Sequence, residues 1–447
     1  MNSAGLNFSH IPPLSVPFRF FISASLFGLL AGGLLLLAPF PTAAEGGLAN
    51  RWHPALLGVT HLLVLGVILM VMFGALFQIL PVVGAPSVTR PAARAALIHP
   101  LLCLGTLALG GGFMLLDTEA GRWGLRAALL LLPAALLLGM ASYLPPVLAA
   151  LRHNATLRQA SWALLALAVT LLLGVWQLLG WNLPGRFPLN RGLTNLHALW
   201  GSLGWCLLLI GAVAYQVVPM FHTTPAVPAP VQRFSAPLLV LLLAGLSLSQ
   251  VWPALKGLFE GLLSLYTLAL ALGLLWNLSR RKRRVADATL RAWQLAATSL
   301  LLTVPLYWLG KAGWVSPSLA FALLLYGAIL SVVVGMLLKI SAFLLYLHLQ
   351  QRCGDCFEAF GQLPKMHELV TPQQGSRLLQ LHLLALLLVL GAVAGGLPAA
   401  LVGIALCAEF GYLLGLQYRA LRRYRQACRR IDPLLARTPT MPTGFTG

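Results

Sequence analysis

The chain has 447 residues, 59% of them apolar and only 9% charged, with a formal net charge of +20. A soluble domain carries about 25% charge, so this composition excludes a globular soluble protein and points to a polytopic membrane protein. The basic excess follows the connecting loops and the C-terminal tail, which excludes a nucleic-acid partner as its explanation.

Apolar runs of roughly 20 residues, the length that crosses a bilayer, recur along the whole chain. They fall near 18–38, 55–83, 95–116, 124–147, 160–181, 192–220, 235–252, 257–277, 290–309, 316–347, 378–395 and 397–418. The expected fold is an all-α integral membrane protein of twelve transmembrane helices, a single polytopic domain over 1–447. The first run follows Phe18-Arg19-Phe20-Phe21 and lacks a small-residue cleavage site, so it is expected to be retained. Pro or Gly marks most loops, as at Pro145-Pro146, Pro184-Gly185 and Pro225 to Pro230. Two connections are longer: the basic loop 279–291, and 348–377, which has length for a cap or a surface helix. Residues 419–447 are basic and are expected to form a disordered tail.

With the N-terminus, the even-numbered loops and the tail on one side, that side holds 22 Lys and Arg against 7 on the other, with Lys339 inside a span. The positive-inside rule places both termini in the cytoplasm of a cell whose inner membrane holds the protein. Anionic lipid heads are the expected partners of these charges. No cysteine falls in an outer loop, so no disulfide framework is expected.

The second, sixth and tenth spans, within 52–86, 191–225 and 314–352, resemble one another. The second runs from His61 to Phe77-Gln78-Ile79-Leu80-Pro81, and the sixth from His197 to Tyr215-Gln216-Val217-Val218-Pro219. In the tenth, Gly335 and Lys339 are spaced like Gly74 and Gln78. A repeat every four helices predicts a pseudo-three-fold bundle. Histidines at matching depth on two of its inner helices make His61 and His197 the candidate cofactor ligands, since imidazole suits iron, copper and zinc.

Other polar groups form two further sets. Lys339 and Glu409 lie inside spans, where a charge costs roughly 2.5–3.5 kcal/mol by insertion scales. With Gln78 and Gln216 they make a candidate polar path, although the two glutamines also suit carbonyls freed by Pro81 and Pro219. His53 lies just outside the second span. His222, His348, His367 and His382 fall on the cytoplasmic side around Cys353-Gly-Asp-Cys356, a candidate zinc or copper site. No phosphate loop, GxSxG elbow or His-Glu-x-x-His motif occurs, so ATP-driven transport and hydrolysis have no support.

Twelve spans repeating in fours resemble the catalytic subunit of haem-copper oxidases, and more closely the NnrS-type family of haem- and copper-containing membrane proteins linked to nitric oxide. Phe18-Arg19-Phe20-Phe21, Trp52-His53-Pro54, His61, Leu196-His197-Ala198-Leu199 and Phe221-His222-Thr223-Thr224-Pro225 carry the resemblance. It implies haem b, with copper as a second cofactor, and redox or oxidase subunits as partners. The chain departs from that pattern as well. Trp52-His53-Pro54-Ala55-Leu56 stands where the family has Trp-His-Ala-His-Glu. The tenth span holds Tyr326 and no histidine in its outer half, where oxidases carry two. The resemblance therefore implies a protein without a complete oxidase centre, acting in nitric-oxide response, electron transfer or oxidase biogenesis. A secondary transporter using Lys339, Glu409, Gln78 and Gln216 stays open as the alternative, although transporters usually repeat as six plus six.

Overall fold

Backbone groups in a hydrocarbon layer must bond within their own segment, and helix is the form that apolar runs of this length take. The computed structural model describes residues 11–38, 40, 46–152, 154–283, 285–354 and 356–436, and no strand occurs among them. Twelve helices are long and apolar enough to cross a membrane. They are α1 (Ser15–Leu37), α2 (Pro54–Val82), α3 (Pro91–Met114), α4 (Glu119–Ala149), α5 (Ala155–Asn182) and α6 (Arg191–His222). The second half holds α7 (Ala229–Leu248), α8 (Pro253–Ser279), α9 (Ala288–Lys311), α10 (Ser318–Cys353), α11 (Pro372–Val393) and α12 (Ala399–Leu435). The face on which α1 begins and α12 ends is called the terminal face below.

Helix starts follow local chemistry. Asn154, Asn190 and Asp287 accept backbone N–H groups at the first turns of α5, α6 and α9, and Thr118 and Thr371 do so for α4 and α11. The connection between α10 and α11 folds into two short helices, Phe357–Gly361 and Met366–Leu369. The disorder expected from 419 onward is not found up to Leu435, because α12 continues that far. Ala420, Ala427 and Ile431 bury one face of this extension, and Arg352 pairs with Asp432 at 2.9 Å. Residues 437–447 of the expected tail lie outside the described residues.

The four-helix repeat is visible residue by residue. In α2, α6 and α10 the winding loosens to π-helix over Leu62–Leu69, Trp200–Leu207 and Leu323–Leu330. The fifth residue of each segment is a glycine: Gly66, Gly204 and Gly327. Each lets the preceding helix come close. A Cβ there would meet Phe27 of α1 at 2.4 Å, Ala166 of α5 at 2.9 Å and Ser299 of α9 at 2.6 Å. Those three contacts lie eight residues after Arg19, Arg158 and Arg291. In the same register Gln78, Gln216 and Lys339 occupy one position. Inner helices are the more enclosed: 78% of the apolar window of α10 is buried, against 22% for α8.

Buried polar side chains on the neighbouring helices bond to backbone carbonyls of α2 and α6, as a membrane interior requires. Tyr143 of α4 donates its hydroxyl to Phe73 O at 2.9 Å, and Gln159 of α5 donates to Leu208 O at 3.0 Å.

Candidate functional site

His61 sits one residue before the π segment of α2, and His197 three residues before that of α6. They are therefore two positions out of register in the repeat, yet their ring centroids lie 6.4 Å apart with planes 26° from parallel. The site lies toward the face opposite the termini, with α3 and α5 around it. Phe113 of α3 packs against His61 at 5.7 Å, and its ring meets Trp181 of α5.

The hydrogen bonds fix the tautomers. His61 Nδ1 lies 2.8 Å from Leu57 O, and His197 Nδ1 lies 3.0 Å from Thr170 O. A carbonyl only accepts, so each Nδ1 carries the proton and each neutral ring keeps a lone pair on Nε2. Backbone carbonyls of this kind orient a metal-binding imidazole. Gly174 of α5 makes room for the second ring: a Cβ there would meet His197 Cε1 at 3.0 Å.

Two imidazoles sharing one metal ion span roughly 6 Å between ring centres, from two bonds of ~2 Å and two ring half-widths. The separation of His61 and His197 is compatible with one metal held between them, so these two residues would be the ones to hold a haem iron or a copper. They do not complete a four-ligand zinc site, and no group of three or more His, Cys, Asp or Glu able to hold a metal occurs among the described residues. Of the glycines beside His197, Gly204 is taken up by packing on Ala166, whereas a Cβ on Gly201 would meet only Thr170 Cγ2 at 3.3 Å.

At the same face, Arg51 donates to Asn195 Oδ1 at 2.8 Å, and the Arg51 and Arg191 guanidiniums lie 4.4 and 5.4 Å from the Trp52 ring. Burial and the neighbouring Arg191 hold the Arg51 guanidinium below its ordinary pKa.

The remaining expected ligands do not assemble. His53 Nδ1, His222 Nε2 and His348 Nε2 are buried without a partner, and His367 is exposed. Cys353 and Cys356 join Cys428 in a small apolar cluster with Leu349, Ala359 and Ile431 rather than a metal centre. His382 belongs to a different structure, because it lies inside α11 and bonds elsewhere. Its Nδ1 is 2.7 Å from Glu409 Oε1, and its Nε2 is 2.8 Å from Ser331 Oγ. Tyr326 donates to Glu409 Oε2 and lies face to face with His382 at 5.0 Å.

The polar path also divides. Lys339 does not reach Glu409; it pairs with Asp287 at 3.0 Å and lies over the Phe221 ring. Burial pushes the Asp287 carboxyl up, but the Leu290 N–H and the Lys339 ammonium outweigh it and hold its pKa below the ordinary value. Gln78 bonds no carbonyl freed by Pro81: both of its amide atoms are buried and unpartnered. Gln216 is half-buried.

Sequence reasoning missed the Ser331–His382–Glu409–Tyr326 chain by grouping His382 with the candidate metal ligands on the cytoplasmic side. Depth was the available signal, since His382 and Glu409 each lie about ten residues into adjacent helices. It also missed the repeat at Asn154-Ala-Thr-Leu-Arg158 and Asp287-Ala-Thr-Leu-Arg291, which places Asp287 at the start of α9. Comparison of the sequence with protein-family models and with curated proteins gives no match.

Proposed function

We propose that the protein binds haem b through His61 and His197, with copper as the alternative occupant, in a pseudo-three-fold bundle related to haem-copper oxidase subunit I and the NnrS-type proteins. One observation carries this reading: two inner-helix imidazoles 6.4 Å apart, each with Nδ1 committed to a backbone carbonyl and an Nε2 lone pair to offer. Bound haem would supply one-electron and diatomic-ligand chemistry, while the chain fixes the ring orientations and holds them in a layer closed by Phe113 and Trp181. No complete oxidase centre accompanies the pair, so the role fits nitric-oxide response, electron transfer or oxidase biogenesis. The basic excess on the terminal face supports a bacterial inner membrane with both termini in the cytoplasm.

An optical spectrum of the detergent-purified protein, as isolated and after dithionite, tests the reading. A Soret band with a reduced α-band is expected, and it disappears in His61→Ala and His197→Ala. A colourless protein without bound copper by elemental analysis overturns it.

A further inference from the structure

A cavity of about 370 Å³ lies between the starts of α5 and α7, both of which begin on the terminal face. Arg158, Gln159 and Trp162 of α5 line it, with Gln232, Arg233 and Ala236 of α7. Its size falls within the roughly 300–1,000 Å³ of small-molecule sites. The floor is fixed by hydrogen bonds. Gln159, 4% exposed, donates Nε2 to Leu208 O at 3.0 Å and accepts the Ser235 hydroxyl at 3.4 Å. Tyr215 and Tyr266 hold Ser235 in turn, one at its hydroxyl and the other at its carbonyl.

The two cations of this cavity lack anionic partners. Arg158 has one long bond, from Nη1 to Arg152 O at 3.4 Å, and the Arg233 guanidinium lies 5.3 Å from the Phe234 ring. Neither pairs with a carboxylate among the described residues, and no Asp or Glu lines the cavity. Each guanidinium offers five N–H groups in a fork that matches phosphate oxygens. The positive-inside rule accounts for arginines on this face, but not for two that share one cavity free of acidic groups. Deeper into the membrane, both helices turn apolar side chains outward. Trp162, Leu165 and Leu172 follow Arg158 at i+4, i+7 and i+14, with both leucines exposed. Pro237 and the exposed Leu241 follow Arg233 at i+4 and i+8.

We infer that this cavity seats the phosphodiester head of an anionic phospholipid, whose acyl chains lie along α5 and α7. Arg158 and Arg233 bind the phosphate oxygens. Gln232 gives one amide hydrogen to Val227 O at 2.7 Å and keeps the other for a glycerol or ester oxygen. Trp162 stands at the level where an indole ring bridges headgroup and hydrocarbon. Inorganic phosphate offers the same oxygens without a chain, and the apolar side chains continuing from the arginines favour the lipid. A basic face attracts anionic lipid everywhere along it, whereas this cavity holds one lipid at one place. The site does not depend on haem at His61 and His197.

Native mass spectrometry of the delipidated full-length protein, titrated in detergent with dioleoylphosphatidylglycerol, counts the lipids bound at each concentration. A first lipid is expected to bind more tightly than those that follow. Arg158→Ala and Arg233→Ala should each weaken that step roughly tenfold, the worth of about one charge-assisted hydrogen bond. Arg422→Ala removes an exposed charge of the same face outside the cavity and should leave the step unchanged. Dioleoylphosphatidylcholine, which has the phosphate but no net charge, should bind more weakly, and inorganic phosphate should not displace the first lipid. No distinct first step, no loss in the two cavity variants, or an equal loss in all three overturns the proposal. Displacement by inorganic phosphate, or equal binding of the uncharged lipid, overturns it as well.

Discussion

The two histidine sites, one fully buried and one half-buried, differ in what they leave unsatisfied. His382 has both ring nitrogens bonded to protein, and the Glu409 and Tyr326 oxygens face each other. His61 and His197 each spend one nitrogen on a backbone carbonyl and keep the other free of any protein bond. Both sites flank inner helices of the same repeat, one between α2 and α6 and the other among α10, α11 and α12. A complete network needs no ligand, whereas two imidazoles that each keep one ring nitrogen unbonded offer a place for one. On the proposed reading, ligand binding falls to the incomplete site, while the complete one is held together by its own hydrogen bonds.

The largest expected effect is on the complete site. Glu409→Ala strands His382 and Tyr326 in the membrane interior, and breaking a buried pair of this kind costs about 3–5 kcal/mol. Thermal unfolding in detergent should show a clear loss of Tm, while His61→Ala, which gives up one hydrogen bond worth about 1 kcal/mol, barely moves it in the ligand-free protein. Equal losses would break the contrast.

Gln78 supplies the next test. Its amide is buried with neither atom bonded, and such a group costs roughly 1–3 kcal/mol by mutational data. Gln78→Leu is therefore expected to raise Tm. A fall instead would mean that the amide serves a ligand, which would make a second incomplete site on α2, toward its other end from His61.

A smaller change sharpens the reading of the histidine pair itself. Gly174→Ala brings a methyl to 3.0 Å from His197 Cε1, so the ring must turn by a few tenths of an ångström. Haem affinity should drop with little change in stability of the ligand-free protein, measured by titrating hemin into both. An unchanged affinity would mean that the orientation of His197 does not matter to binding.

Much of this was legible in the sequence, and physical reasons separate what was from what was not. Twelve spans follow from run length alone, because the bilayer imposes it. The four-helix repeat follows from Gln78, Gln216 and Lys339, whose shared position survives in the structure. The pairing of His61 with His197 was suggested by depth, and their two-residue offset was also legible, since His61 lies 17 residues before Gln78 and His197 19 before Gln216. Lys339 and Glu409 were expected to share a polar path since both are charged and intramembrane. Their true partners, Asp287 and His382, belong to helices that composition cannot arrange in space. Helix α12 outlasts its apolar stretch because Ala420, Ala427 and Ile431 line one face among arginines, a periodicity hidden by the charge.

The smallest expected effect concerns the ion pair of Lys339 and Asp287, whose side chains keep 15% and 21% exposure. Asp287 has a folded pKa below its unfolded value, so its ion pair contributes fully above the ordinary carboxylate pKa of about 4. That contribution is lost as the pH falls through the lower folded value. Stability measured from neutral pH downward should thus stay level until about 4 and then decline for wild type. Lys339→Met removes the partner and brings the folded pKa of Asp287 closer to its unfolded value, although the Leu290 N–H still holds it down, so the Asp287 share of the acid decline should shrink. Identical acid profiles for the two proteins would mean that the pair is too well solvated to matter.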